Sequence, residues 1–102
     1  MSDAAAQAAE GGIGALRRTL RIANKRGLHA RAAAKFVRTA GQFDANIRVT
    51  FKGQQVSGLS IMGLMMLAAG IGSDIEIACS GRQALDAMAA LSSLVEGKFG
   101  ED

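Results

Sequence analysis

The only histidine of the 102-residue chain sits in KRGLHARAAAKFVRTAG, Lys25–Gly41. Imidazole can act as a general base or as a nucleophile that accepts a phosphoryl group. The alanine-rich run behind it ends at Gly41 and predicts a helix. Ala33, Phe36, Val37 and Ala40 form its apolar stripe, and Arg31, Lys35 and Arg38 its basic face. A helix starting at Ala30 puts His29 at the N-cap, where Ser, Thr, Asp or Asn is usual. Its first turn holds Arg31 and no acid, against the ordinary preference. Both departures fit an anion at this end. The free N–H groups of Ala30, Arg31 and Ala32 would point toward the imidazole, beside the positive end of the helix dipole. A phosphate carried on the ring would occupy a helix-terminal anion site, with Arg31 as a charge-assisted partner. No Ser, Cys or Asp stands at a recognisable spacing for acid–base chemistry, so nucleophilic phosphoryl acceptance by His29 is the reading that uses every neighbour.

Composition narrows the setting. With 49% hydrophobic residues the chain is read as one small globular domain. A single cysteine, Cys79, excludes an internal disulfide and is read as a buried small hydrophobe. One His and one Cys argue against a zinc site, and neither metal nor cofactor is expected. No apolar run approaches the roughly 18 residues of a spanning helix, and the start lacks the pattern of a signal peptide, so a cytoplasmic protein without membrane insertion is expected. Charge is uneven. Residues 1–52 hold ten Lys/Arg against three acids, and residues 53–102 hold two against six, so the halves carry +7 and −4. A basic half around His29 suits an anionic ligand or an acidic partner.

Other segments must position that histidine. Residues 1–14 are read as a mobile tail and residues 15–102 as the domain. Leu16, Leu20 and Ile22 predict a first strand, and Asn24–Gly27 a turn. Ile47, Val49 and Phe51 alternate with polar residues in a second strand, and Lys52-Gly53 predicts a hairpin into a short strand at Gln54–Ser57. SIMGLMMLAAG predicts a helix ending at Gly70. Ile75, Ile77 and Cys79 mark another strand. Leu85, Met88, Leu91 and Val95 mark a last helix, ending at Gly97. The order implies an α+β fold, a four-stranded antiparallel sheet with helices on one face.

Ser60 is well placed to cap the second helix. That helix is apolar nearly all round, through Ile61, Met62, Leu64, Met65, Met66 and Leu67. A chain this small cannot bury every side of it, and exposed methionines suit a surface that takes several partners.

GLHARAAAKF resembles the active-site segment of HPr, the histidine-containing phosphocarrier family of the phosphoenolpyruvate-dependent phosphotransferase system, its nitrogen-related regulatory branch included. VSGLSIMGLMML is similar to that family's regulatory serine segment, at the family's spacing from His29, and the element order matches its βαββαβα open-faced sandwich. The resemblance spans about residues 15–97. It implies that His29 takes a phosphoryl group on Nδ1 from phosphorylated enzyme I and passes it to a histidine of an enzyme-II A-type domain. Arg31 and the amides of Ala30, Arg31 and Ala32 would contact the phosphate. It further implies phosphorylation of Ser60 by an HPr kinase/phosphorylase, and a docking patch of Ile61, Met62 and Met65 with Leu64 and Leu67 in the core. The protein would be a monomeric relay without a substrate pocket of its own. Ala32 stands where the family pattern has proline, and Leu59 where lysine is frequent.

Two other functions remain in view. A purely regulatory relative, signalling nitrogen or carbon status, would differ in its acceptor. A nucleic-acid module is disfavoured, since Phe36 and Phe51 lie on apolar stripes and the chain has no Tyr or Trp for base stacking.

Overall fold

Alternation along each strand sorts one sheet into two faces. The computed structural model describes residues 15–101; the expected 1–14 tail and Asp102 lie outside the described residues. Their order is β1 (Leu16–Arg21), α1 (Ala30–Ala40), β2 (Asn46–Phe51), β3 (Gln54–Ser57), α2 (Ile61–Met66), β4 (Asp74–Ser80) and α3 (Ala84–Glu96), followed by a short turn, Lys98–Gly100. The four strands pair antiparallel in the order β1-β4-β2-β3. This is the α+β architecture expected from the element order.

Leu20, Ile47, Val49, Ile75, Ile77 and Cys79 share the face that meets the helices, and all are buried. Onto them pack Ala33 and Phe36 of α1, Leu64 of α2, and Met88, Leu91 and Val95 of α3. The opposite face is polar. Register sets Thr19, Glu76 and Thr50 in one row across β1, β4 and β2, with Gln55 of β3 beyond. The hairpin at Lys52-Gly53 takes positive φ at both residues, 50° and 79°, the geometry of a tight turn matched to strand twist. No helix among the described residues is long and apolar enough to cross a membrane.

Three expectations shift. Leu85 is 73% exposed, and the buried stripe of α3 instead runs through Ala84, Ala87, Met88, Leu91, Ser92 and Val95. Leu16 is also exposed, at the open edge of the sheet, while Leu20 and Ile22 are buried. The second helix stops at Met66 rather than reaching Gly70. Ala68 turns into the left-handed region (φ 54°), and the carbonyl of Ala69 accepts a hydrogen bond from Leu28 N–H at 3.0 Å. The residues expected to prolong α2 are held by the loop before His29.

Candidate functional site

His29 is the N-cap of α1, in extended conformation (φ −72°, ψ 176°), and its carbonyl accepts from Ala33 N–H at 2.9 Å. The first turn contains no acid, and the imidazole makes no capping bond to the helix. The first amides of α1 therefore have no partner inside the helix. Ala30 and Arg31 are exposed, but Ala32 is completely buried. Of the three amides expected to meet a phosphate, only those of Ala30 and Arg31 lie on exposed residues. Ala32 spends its small side chain on close packing beneath the site.

The approach to His29 is held tightly. Gly27 N–H donates to Asn24 O at 3.2 Å, and Gly27 has φ +64°. A Cβ at Gly27 would stand 2.4 Å from Ala69 O and 2.7 Å from Gly70 Cα, so only glycine lets the loop lie this close. Leu28, buried, then donates to Ala69 O. The histidine is thus tied to the segment that follows α2.

The turn after α3 brings a residue that sequence reasoning missed. Glu101 Oε2 accepts from His29 Nε2 at 2.5 Å, and its Oε1 accepts from Asn24 Nδ2 at 3.0 Å. The two side chains of the pair are 15% and 18% exposed. The His29 hydrogen bond first and the Asn24 bond second hold the Glu101 carboxyl below its usual range, against the opposing effect of burial. Phe99 is fully buried, and its carbonyl accepts from Lys35 Nζ at 2.6 Å. Lys35 therefore belongs to this contact rather than to a free basic face. Phe99, an aromatic residue two positions beyond the expected stop at Gly97, was the available signal that the chain continues to pack.

The basic half is also redistributed. Arg17, Arg18 and Arg21 of β1 pair with Glu76, Glu96 and Asp74, and Arg82 pairs with Asp44. Such exposed pairs are worth about 0–1 kcal/mol each. Lys25, Arg26, Arg31 and Arg38 are exposed and make no ion pair among the described residues. Three of these four stand within four positions of His29.

Ser60 caps α2, its Oγ accepting Gly63 N–H at 2.9 Å. Beyond it Ile61, Met62 and Met65 are exposed, Met62 to 68%, while Leu64 and Leu67 are buried. Met66 and Leu59 are exposed as well. Cys79 is buried, and burial pushes its thiol up to about 11.

Residues 16–97 match the family described as the PTS HPr component phosphorylation site. The phosphocarrier protein HPr of Neisseria meningitidis serogroup A is 50% identical over 86 residues, which cover 84% of this chain and 97% of that protein. HPr of Cupriavidus necator is 48% identical with the same coverage. Among solved structures, HPr-C-His from Thermoanaerobacter tengcongensis superposes with a TM-score of 0.82 at 41% identity, over 85% of this chain and 98% of that one. The Bacillus subtilis catabolite-repression protein Crh gives 0.67 at 31% identity, over 81% and 95%. Fold and sequence place the molecule among small α+β proteins of the phosphotransferase system. The chain belongs to the HPr phosphocarrier family.

Proposed function

We propose that His29 receives a phosphoryl group on Nδ1 from phosphorylated enzyme I and hands it to a histidine of an enzyme-II A-type domain, the protein working as a monomeric cytoplasmic relay. The observation that carries this reading is the placement of the one histidine at the N-cap of α1, beside the exposed amides of Ala30 and Arg31 and in a first turn free of acids. A phosphoryl group there meets the positive end of an 11-residue helix. Exposed Arg31 supplies a planar cation suited to its oxygens.

Ile61, Met62 and Met65 form the docking surface for both partners. Ser60 at its margin is the target of an HPr kinase/phosphorylase. A phosphate there would add about −1.5 to −2 charges beside the apolar patch and oppose an acidic partner.

The test is intact mass after incubation with phosphoenolpyruvate, Mg²⁺ and enzyme I, with His29→Ala alongside. One acid-labile phosphoryl group, absent from the variant, is expected; a folded protein refused by its cognate enzyme I overturns the reading. Offering the loaded protein to a transporter-linked or a soluble enzyme-II A-type acceptor then separates sugar transport from nitrogen or carbon signalling.

A further inference from the structure

The turn that delivers Glu101 is backbone that few side chains adopt. Lys98, Phe99 and Gly100 have φ of 58°, 55° and 73°, three left-handed residues in succession. Such a conformation persists only where its surroundings hold it. Here Phe99 is sealed in the core, Lys35 Nζ reaches its carbonyl, and Glu101 closes on Asn24 and His29. Asn24 is itself fully buried and also donates to Gly27 O at 2.8 Å, so the carboxylate is anchored to the same loop that carries the histidine.

We propose that this turn is a clamp and that Glu101 is a positioning residue for phosphoryl transfer, its carboxylate keeping the ring hydrogen of His29 on Nε2 so that Nδ1 presents the lone pair. The inference rests on His29 being the phosphoryl acceptor. A carboxylate can only accept hydrogen bonds, so the nitrogen facing it must be the donor. The groups facing the pair are Asn24 from the loop and Lys35 from α1, whose charge favours the carboxylate. Arg31 lies exposed in the first turn of the same helix.

The electron balance then closes without moving a proton at this ring. The Nδ1 lone pair forms the bond to phosphorus as the donor's bond breaks and the donor keeps that electron pair. The ring becomes a cation, its Nε2 hydrogen facing the negative charge of Glu101. On delivery the acceptor's lone pair forms the new bond to phosphorus, the P–Nδ1 pair returns to Nδ1, and a neutral imidazole leaves with its hydrogen where it was. Without the carboxylate the cation loses its counter-charge and the hydrogen is free to occupy either nitrogen.

The test loads the full chain, Glu101→Gln and Glu101→Ala with phosphoramidate, a small phosphoryl donor that needs no enzyme I. Phosphorus–proton NMR identifies the bonded nitrogen, and intact mass follows phosphoryl loss across neutral pH. The wild-type chain is expected to carry phosphate on Nδ1 alone. In the variants an Nε2 isomer appears, and phosphoryl loss at neutral pH, where the wild-type ring has its counter-charge, slows by about tenfold. Exclusive Nδ1 loading and superimposable profiles in folded variants overturn the proposal, since a merely structural Glu101 would lower the melting temperature and leave both readouts in place. Should the variants fail to fold, the long-range proton–nitrogen spectrum of the unmodified wild-type ring decides, and a hydrogen on Nδ1 of the neutral ring refutes the clamp. Refusal by enzyme I would sink the carrier reading without touching either result.

Discussion

Replacing Gly27 by alanine breaks the closest approach between the His29 loop and the segment after α2. Two costs add. Alanine in the left-handed conformation of Gly27 (φ +64°) costs about 1–2 kcal/mol. Its Cβ would also sit 2.4 Å from Ala69 O and 2.7 Å from Gly70 Cα, both backbone atoms that cannot swing aside. The loop must lift, losing the Leu28–Ala69 hydrogen bond, about 0.5–1.5 kcal/mol. It also loses part of the burial of Leu28, worth about 1.5–3 kcal/mol in full. The whole is about 2–5 kcal/mol, a large share of the roughly 5–15 kcal/mol that holds a small domain together. Gly53→Ala is the internal control. It too starts from positive φ (+79°), but nothing lies within 4 Å of its Cβ, so only the conformational cost applies. Urea unfolding of the two variants by circular dichroism should place Gly27→Ala clearly below Gly53→Ala. Thermal melts should show a loss of at least about 8 °C for Gly27→Ala. Phosphorylation of His29 should slow further at temperatures where the variant stays folded, because the tether also aims the histidine. Equal stabilities for the two variants would refute the assignment of Gly27 to close packing.

Other outcomes follow from the same contacts. Ser60→Ala should cost about 0.5–2 kcal/mol through loss of the Gly63 cap, while Ser60→Asp keeps the cap but slows phosphoryl exchange by placing charge beside Met62; urea unfolding and transfer kinetics read the two separately. Met62→Lys should leave the melting temperature nearly unchanged, since the side chain is exposed, yet weaken acceptor binding by about tenfold or more; unaltered titration curves would exclude this surface from docking. Cys79, buried with its thiol raised to about 11, should resist alkylation at neutral pH until the chain unfolds, as mass spectrometry after brief iodoacetamide treatment would register. The Glu101 carboxyl is lowered in the folded state, so its stabilisation is complete above the usual carboxylate range and fades as pH falls through the lowered value. The stability gap between wild type and Glu101→Gln should therefore close on acidification, and a gap that persists in acid would contradict hydrogen bonding by Glu101 as a carboxylate.

Much of this fold is visible in local patterns. Ile47, Val49 and Phe51, like Ile75, Ile77 and Cys79, alternate because one face of their sheet is covered by helices and the other is open to polar groups. His29 and Ser60 both stand as N-caps where the sequence places them. What escaped local reading depends on contacts between distant segments. Glu101 reaches His29 only because Phe99 pulls the chain back into the core after Gly97, and no periodicity near either residue encodes that return. The early end of α2 reflects the claim of Leu28 on Ala69, a tertiary contact that overrides the helical preference of Ala68 and Ala69. Leu85 fitted a helical stripe by type, but the small residues Ala84 and Ala87 take the inward positions. The basic half likewise could not be mapped onto the site from composition, because the fold brings the arginines of β1 to acids of β4 and α3.

The strand order also sets a schedule for synthesis. In the sheet β1 has one neighbour, β4, with Leu16 opposite Cys79 and Leu20 opposite Ile75. β1 must wait, unpaired, until β4 has emerged from the ribosome, about 3–12 s at elongation rates of about 5–20 residues per second. During that interval β2 and β3 can already pair with each other, while β1 lacks its only sheet neighbour. The arginines at positions 17, 18 and 21 then keep the waiting strand charged and soluble, and they find Glu76, Glu96 and Asp74 only when the sheet closes.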